Sequence, residues 1–323
     1  MVSKNRGLLA ADESTSTILK RFNTIKLEST EESRRAYREM LFTTPGASEY
    51  ISGVILYDET IRQKTRDGVP FPAYLSQHNM IPGIKVDMGA KPLAGFAGET
   101  ITEGLDGLRE RLAGYHKLGA RFAKWRAVID IGSGIPTAYA IDANAEGLAR
   151  YAALCQEAGI VPIVEPEVLM DGDHPIERCE EVTNAVLQSV FDHLFAARIV
   201  LKPNMVIAGK KSAKKSAPEQ VAEATLRTLK RHVPSAVPGI AFLSGGQSPA
   251  EATHHLSLMN AAGSLPWALT FSYGRALQDT SLRAWGGTAA GFQGGQQQLH
   301  LRAKLNGLAA AGTYKPAMET SAA

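Results

Sequence analysis

Thiols are scarce in this 323-residue chain: it has two cysteines, and its formal net charge is only +3. Two cysteines leave no disulfide framework or multi-thiolate zinc motif and suit a reducing cytoplasm. Both fall on apolar stripes of expected helices, Cys155 with Leu148, Tyr151 and Ala152, and Cys179 with Val182 and Val186, where a thiol acts as a small buried hydrophobe. No apolar run approaches the roughly 18 residues of a bilayer span, and Met1 to Arg6 is too short and polar for a signal peptide. The expectation is a soluble, cytoplasmic protein without a membrane partner. The mildly basic balance suits phosphorylated metabolites and falls short of a nucleic-acid footprint. The single basic run, Lys210, Lys211, Lys214 and Lys215, has no interleaved aromatics and precedes a helix start at Ala217-Pro218-Glu219, so it reads as a solvated loop.

What the chain does have is an ordinary globular composition, 44% apolar and 21% charged, and a steady alternation of short apolar runs with helical patterns. That rhythm implies a parallel sheet covered by helices. Eight candidate strands emerge: Gly7 to Asp12, Ile51 to Tyr57, Ile81 to Asp87, Phe122 to Val128, Ile160 to Glu165, Arg198 to Pro203, Gly239 to Ser244 and Ala268 to Ser272. Eight is the number that closes a barrel. Residues 1–323 are therefore read as a single (β/α)8 TIM barrel domain, a fold that typically takes about 250 residues, with an irregular tail over about 309–323. Between strands, Ser29 and Glu32 suggest a capping box ahead of the run to Leu41. Leu105, Leu108, Leu112 and Tyr115 form a stripe stopped by Gly119, Leu148 to Cys155 is stopped by Gly159, and Val182 to Leu194 marks a further helix.

In a parallel barrel the strands are covered on both faces, so charge near a strand is informative at the C-terminal mouth. Lys85, Lys124, Arg126, Glu165, Glu167 and Lys202 all fall there. Spacing of i, i+2 puts Lys124 with Arg126, Glu165 with Glu167, Lys85 with Asp87, and Asp12 with Ser14 on common faces, so amines and carboxylates of separate strands converge. A ring of structural ion pairs is the plainer alternative. Lysines, however, are seldom buried without a use. A lysine attacks a ketone as the free amine, which desolvation or a neighbouring cation favours. Lys202, between Leu201 and Pro203, is the better-placed nucleophile, Lys124 the neighbouring cation, and Glu165 or Glu167 the proton shuttle. Leu243 to Ser248 after strand seven and Ser272-Tyr273-Gly274-Arg275 after strand eight lie where barrels cradle phosphate. Zinc-based ketone polarisation needs several ligands at strand ends, and of the histidines only His174 lies just beyond a catalytic strand, so neither metal nor other cofactor is expected.

These segments resemble the class I fructose-bisphosphate aldolase family. The motifs are LLAADEST from Leu8, GIKVD from Gly83, FAKWR from Phe122, VPIVEPE from Val161, LKPNMV from Leu201, FLSGGQS from Phe242 and WALTFSYGRAL from Trp267, in order along nearly the whole chain. The resemblance implies that Lys202 forms a Schiff base, that Lys124 perturbs it and contacts substrate, and that Glu165 is the acid/base. Asp12 would assist carbon-carbon cleavage and orient Lys124, while Glu167 would complete the charge network. Ser244, Gly245, Ser272, Gly274 and Arg275 would hold the ketose-side phosphate, and Ser14, Thr17 and Lys85 the distal one, with Arg126 nearby. The implied reaction is metal-free, reversible cleavage of fructose 1,6-bisphosphate to dihydroxyacetone phosphate and glyceraldehyde 3-phosphate, by a homotetramer.

Three departures qualify the resemblance. The chain enters Gly7 without the family's usual preceding helix, and it carries no tyrosine in its last residues, so enamine protonation would fall to another group or to water. The segment before Leu201-Lys202 is several residues shorter than usual, so a helix ending near Ala197 would need almost no connection to the sixth strand. Two other readings follow: a phosphosugar-binding scaffold in which Lys202 is misplaced, or another Schiff-base lyase of the deoxyribose-phosphate or transaldolase kind.

Overall fold

The computed structural model describes residues 1–3, 5–194 and 199–320. Strand alternation builds the architecture. On β1 (Gly7–Ala10), Leu8 and Ala10 point inward while Leu9 meets the helices, and the same alternation runs through β2 (Ile51–Leu56) and β3 (Ile81–Lys85). A two-stranded antiparallel hairpin follows, β4 (Ala90–Pro92) with β5 (Thr100–Thr102). The barrel resumes with β6 (Phe122–Ile129), β7 (Val161–Val168), β8 (Val200–Leu201), β9 (Gly239–Phe242) and β10 (Ala268–Tyr273). Neighbouring strands pair in parallel, and β1 pairs with both β2 and β10 to close the ring.

The helices form the outer layer: α1 (Thr15–Asn23), α2 (Glu31–Phe42), α3 (Asp58–Arg62), α4 (Phe71–Gln77), α5 (Leu108–Lys117), α6 (Ala138–Glu157), α7 (Ile176–His193), α8 (Pro218–His232), α9 (Pro249–Ala261), α10 (Arg275–Trp285) and α11 (Phe292–Ala310). Cys155 and Cys179 are buried on α6 and α7. After α11, Tyr314 is buried, and a 3-10 turn over Pro316–Glu319 is tied back by Arg302, whose Nη1 lies 2.6 Å from Glu319. No described helix is long and apolar enough to cross a membrane.

Two apolar clusters result. The larger lies between sheet and helices, and the smaller fills the barrel itself with Leu8, Ala10, Ile55, Phe122, Ile163, Val200 and Ala241, with Met1 and Val2 packed against it. Inside β3, Gly83 is required because a Cβ there would stand 2.1 Å from the Phe122 ring. The plug ends one inward position below the mouth, and the next inward residues on β1, β6, β7 and β8 are Asp12, Lys124, Glu165 and Lys202.

Several boundaries differ from expectation. The α2 cap is Thr30, not Ser29: Ser33 N donates to Thr30 Oγ1 at 3.0 Å and Thr30 N donates to Ser33 Oγ at 2.9 Å, so Ser33 plays the part assigned to Glu32. Leu105 lies outside α5, which starts only after Gly107 at φ +63. The expected helix end near Ala197 lies outside the described residues, as does Arg198, and α7 itself closes at His193 with Leu194 already extended. The sixth barrel strand shrinks to Val200–Leu201, yet both register with Ile163 and Val164 of β7, and Leu201 pairs with Ile240 of β9. Lys202 N then donates to Val164 O at 2.8 Å, which holds the strand's direction one residue further.

Candidate active site

Every residue singled out from the sequence lines one cavity of about 670 Å³ at the C-terminal mouth: Asp12, Ser14, Thr17, Lys85, Lys124, Arg126, Glu165, Glu167, Lys202, Ser244, Gly245, Ser272, Gly274 and Arg275. Its size falls within the range of small-molecule sites. The four central groups arrive on four inward-facing strand ends, so their side chains meet over the apolar plug.

Glu165 lies at the centre. Its Oε1 is 3.0 Å from Lys202 Nζ and its Oε2 is 3.3 Å from Lys124 Nζ. Lys124 Nζ also lies 2.7 Å from Asp12 Oδ2 and 4.0 Å from Asp87 Oδ2. Glu165, Lys124 and Lys202 are all no more than 4% exposed. Glu165 Oε2 is buried and, despite its ion contact, accepts no well-angled hydrogen bond, so an acceptor is held beside the amines.

Burial decides the cost of these charges and the neighbours decide their state. Burial pushes the Asp12 carboxyl up, but Lys124 and Lys202 outweigh it and hold the group well below the usual carboxylate range. Burial likewise pushes Glu165 up, and Lys124, Lys202 and Arg126 bring it below its ordinary value. For Lys124 burial pulls down, yet Asp12, Glu165 and Asp87 hold it above the ordinary lysine value. The site thus contains two carboxylates and a firm ammonium around the amine of Lys202.

On one flank, Arg126 pairs with Glu167, and Lys85 Nζ lies 2.8 Å from Asp87 Oδ1. Ser14 caps α1, its Oγ 3.0 Å from Thr17 Oγ1, and no acidic residue occupies that helix's first turn. On the other flank, Gly245 and Gly246 adopt φ +57 and +87 in the turn after β9, while Gly274 and Arg275 open α10. Ser272 Oγ is buried at this edge with no hydrogen-bond partner. Consecutive left-handed glycines and helix N-termini aim backbone N–H groups at an anion.

Asp87, paired with Lys85 by spacing but given no role from the sequence, also lines the cavity. It joins Lys85 to Lys124, and its spacing from Lys85 was the available signal. Arg21 and Glu13 also line the cavity, paired at 2.5 Å, on a helix face and turn where spacing gave no cue. His174 is buried but is not among the cavity's lining residues. Among the described residues, no three His, Cys, Asp or Glu side chains are grouped to hold a metal ion.

A closed parallel barrel whose mouth presents a carboxylate-bonded lysine amine, a second ammonium and two anion-binding edges defines an enzyme of amine chemistry on anionic substrates. Comparison with known proteins specifies it. The sequence model of the glycolytic class-I fructose-bisphosphate aldolase family matches residues 1–323. The chain is 58% identical over 321 residues to the probable fructose-bisphosphate aldolase class 1 of Xanthomonas campestris pv. campestris, covering 98% of this chain and 96% of that protein. It is 53% identical to the cytosolic fructose-bisphosphate aldolase 4 of Arabidopsis thaliana, over 96% of this chain and 80% of that one. The solved fructose-bisphosphate aldolase of Plasmodium falciparum superposes with a TM-score of 0.96 at 50% identity, covering 97% of this chain and 92% of that one. The chain belongs to the class I fructose-bisphosphate aldolase family. Neither the scaffold reading nor another Schiff-base lyase finds support in these matches.

Proposed function

We propose that Lys202 is the Schiff-base residue of this aldolase, and the observation that carries this reading is the Glu165 carboxylate shared by the amines of Lys202 and Lys124. The free amine of Lys202 attacks the C2 ketone of open-chain fructose 1,6-bisphosphate. Glu165, within proton-transfer distance of Nζ at 3.0 Å, has first taken the proton that frees this amine and, once a nitrogen proton of the adduct has moved to its oxygen, returns it to the carbinolamine hydroxyl, which leaves as water. The resulting iminium draws electrons from the C3–C4 bond as the C4 hydroxyl proton passes to a carboxylate. Asp12, held ionised beside Lys124 at 2.7 Å, is the base positioned for that step. Glyceraldehyde 3-phosphate departs, C3 of the enamine takes a proton, and hydrolysis releases dihydroxyacetone phosphate and restores Lys202.

Lys124, held between Asp12 and Glu165, supplies the positive charge beside the reacting carbons, and Glu167 orients Arg126. Ser244, Gly245, Ser272, Gly274 and Arg275 hold the ketose-side phosphate, and Ser14, Thr17 and Lys85 with Arg126 the distal one. The whole chain serves as one barrel unit in this reading. Membership of the family supports assembly as a homotetramer, and relatives named cytosolic support a cytoplasmic location. No role with nucleic acid or membrane is assigned.

Borohydride reduction in the presence of dihydroxyacetone phosphate tests the reading. Peptide mass mapping should locate the reduced adduct on Lys202, and a chelator should leave turnover intact. An adduct on a different lysine, or none in an active preparation, would overturn it.

A further inference from the structure

A basic residue that the sequence placed in solvent stands beside the phosphate-binding turn. A Cβ built on Gly246 would lie 2.5 Å from Lys210 Nζ and 3.3 Å from Arg275 Nη2. The two cations, from different loops, therefore meet across this glycine within about 6 Å of each other, near enough to raise one another's energy. Gly246, at φ +87, leaves the gap between them open.

Backbone bonds fix Lys210 in this place. Lys210 N donates to Met170 O at 2.7 Å, Lys211 N to Gly172 O at 3.0 Å, and Gly209 N to His174 O at 2.9 Å. Gly209 packs so closely that a Cβ there would stand 2.2 Å from Gly172 O. The loop after β8 is thereby pinned to the loop after β7, and Lys210 reaches Gly246, the neighbour of the lining Gly245, without itself lining the cavity.

The charges are unevenly satisfied. Lys210 Nζ lies 2.6 Å from Asp171 Oδ1, but these side chains are 38% and 60% exposed, so the pair is screened and readily exchanged. Arg275 makes no ion pair among the described residues. Two cations flanking a turn whose glycines have φ +57 and +87 favour a doubly charged anion.

We propose that Lys210 is a further binding residue of this aldolase, which leaves Asp171 to grip the ketose-side phosphate together with Arg275. The inference rests on the assignment of that phosphate to the turn at Ser244 and Gly245 and to Gly274 and Arg275. It makes the loop after β8, in addition to the Schiff-base strand that precedes it, a determinant of affinity for phosphorylated over unphosphorylated ketoses.

The test is steady-state kinetics with fructose 1,6-bisphosphate at fixed ionic strength on the full-length native protein, Lys210→Ala, Lys210→Arg, Asp171→Asn and Arg275→Ala, with thermal midpoints as the folding control. Lys210→Ala should raise KM about tenfold with kcat changed far less, as for loss of one charge-assisted bond, and should weaken inhibition by inorganic phosphate in parallel. Lys210→Arg should restore most of the affinity. Asp171→Asn should leave KM at or below the native value, because the freed lysine loses only a competitor. If Lys210→Ala leaves KM unchanged while Arg275→Ala raises it, the proposal falls and the phosphate assignment stands. If Asp171→Asn matches Lys210→Ala, the pair merely braces the loop and the proposal falls. If Arg275→Ala also leaves KM unchanged, the phosphate assignment itself is lost and the proposal with it.

Discussion

At the scale of single residues, the shared carboxylate of Glu165 dominates. Glu165→Gln keeps the shape but loses the proton shuttle, and kcat should drop about 10²- to 10⁴-fold; a single-turnover assay that finds near-native rates would remove Glu165 from the chemistry. Lys124→Met leaves Asp12, Glu165 and Asp87 buried without their common cation, a change that costs about 3–5 kcal/mol when one partner of a buried set is removed. Its pH dependence has a definite sign. Asp12 and Glu165 are depressed in the folded chain, so their stabilisation is present above the unfolded carboxylate range and fades as pH falls through the lower folded values. Without Lys124 those folded values rise toward or past the unfolded ones, so the variant, already less stable at neutral pH, should lose less of its thermal midpoint between pH 7 and 3 than the native chain. Parallel midpoint curves between pH 3 and 7 would show that Lys124 does not hold these carboxylates down. Lys202, Lys124 and Glu165 were legible in sequence because strand alternation alone sets which way they point. The pairing of Asp87 with two lysines, and the approach of Lys210 to Gly246, depend on loop closures that no local period encodes.

At the scale of elements, the eight barrel strands were legible because each is a short apolar run between turn residues, and the observed starts agree with the readings except on β7 and β8. The β4–β5 hairpin was missed: three residues per strand, one of them Pro92, carry too little pattern to read. Cap chemistry was legible in kind and misplaced by one residue, since Ser29, Thr30 and Ser33 all offer hydroxyls and only the backbone turn selects among them. Thr30→Ala should therefore cost about 0.5–2 kcal/mol of stability with little effect on turnover, whereas Ser29→Ala should cost less. Chemical denaturation of the two variants decides, and equal losses would contradict the cap assignment. The two-residue β8 is sufficient because hydrogen bonds from both neighbouring strands, and from Lys202 N to Val164 O, set its direction. The shortened segment before it does not turn Lys202 away from the cavity.

For the whole molecule, the fold was readable from rhythm and the family from motif order, but assembly was not readable from a single chain. The proposed homotetramer makes a simple claim on solution mass. Sedimentation velocity at micromolar concentration should give a species near four times the 34.6 kDa chain, and a stable monomer or dimer with full turnover would refute it. Arg302 and Glu319 close the barrel's outer layer near the C-terminal 3-10 turn, far in sequence from the reacting strands yet joined to α9 through Arg302 Nη2 and Thr253 Oγ1 at 2.6 Å.

The mouth of the barrel answers its own charge. Lys85, Lys124, Arg126 and Lys202 each already touch an acidic side chain. A dianion reaching Lys85 and Arg126 must therefore win them by rearranging partnerships already in place, whereas Arg275 on the opposite flank has no ion pair among the described residues to give up. Entry on the first flank is thus an exchange of partners, while the second offers a guanidinium outright, so the two ends of the vestibule present an anion with unequal starting terms.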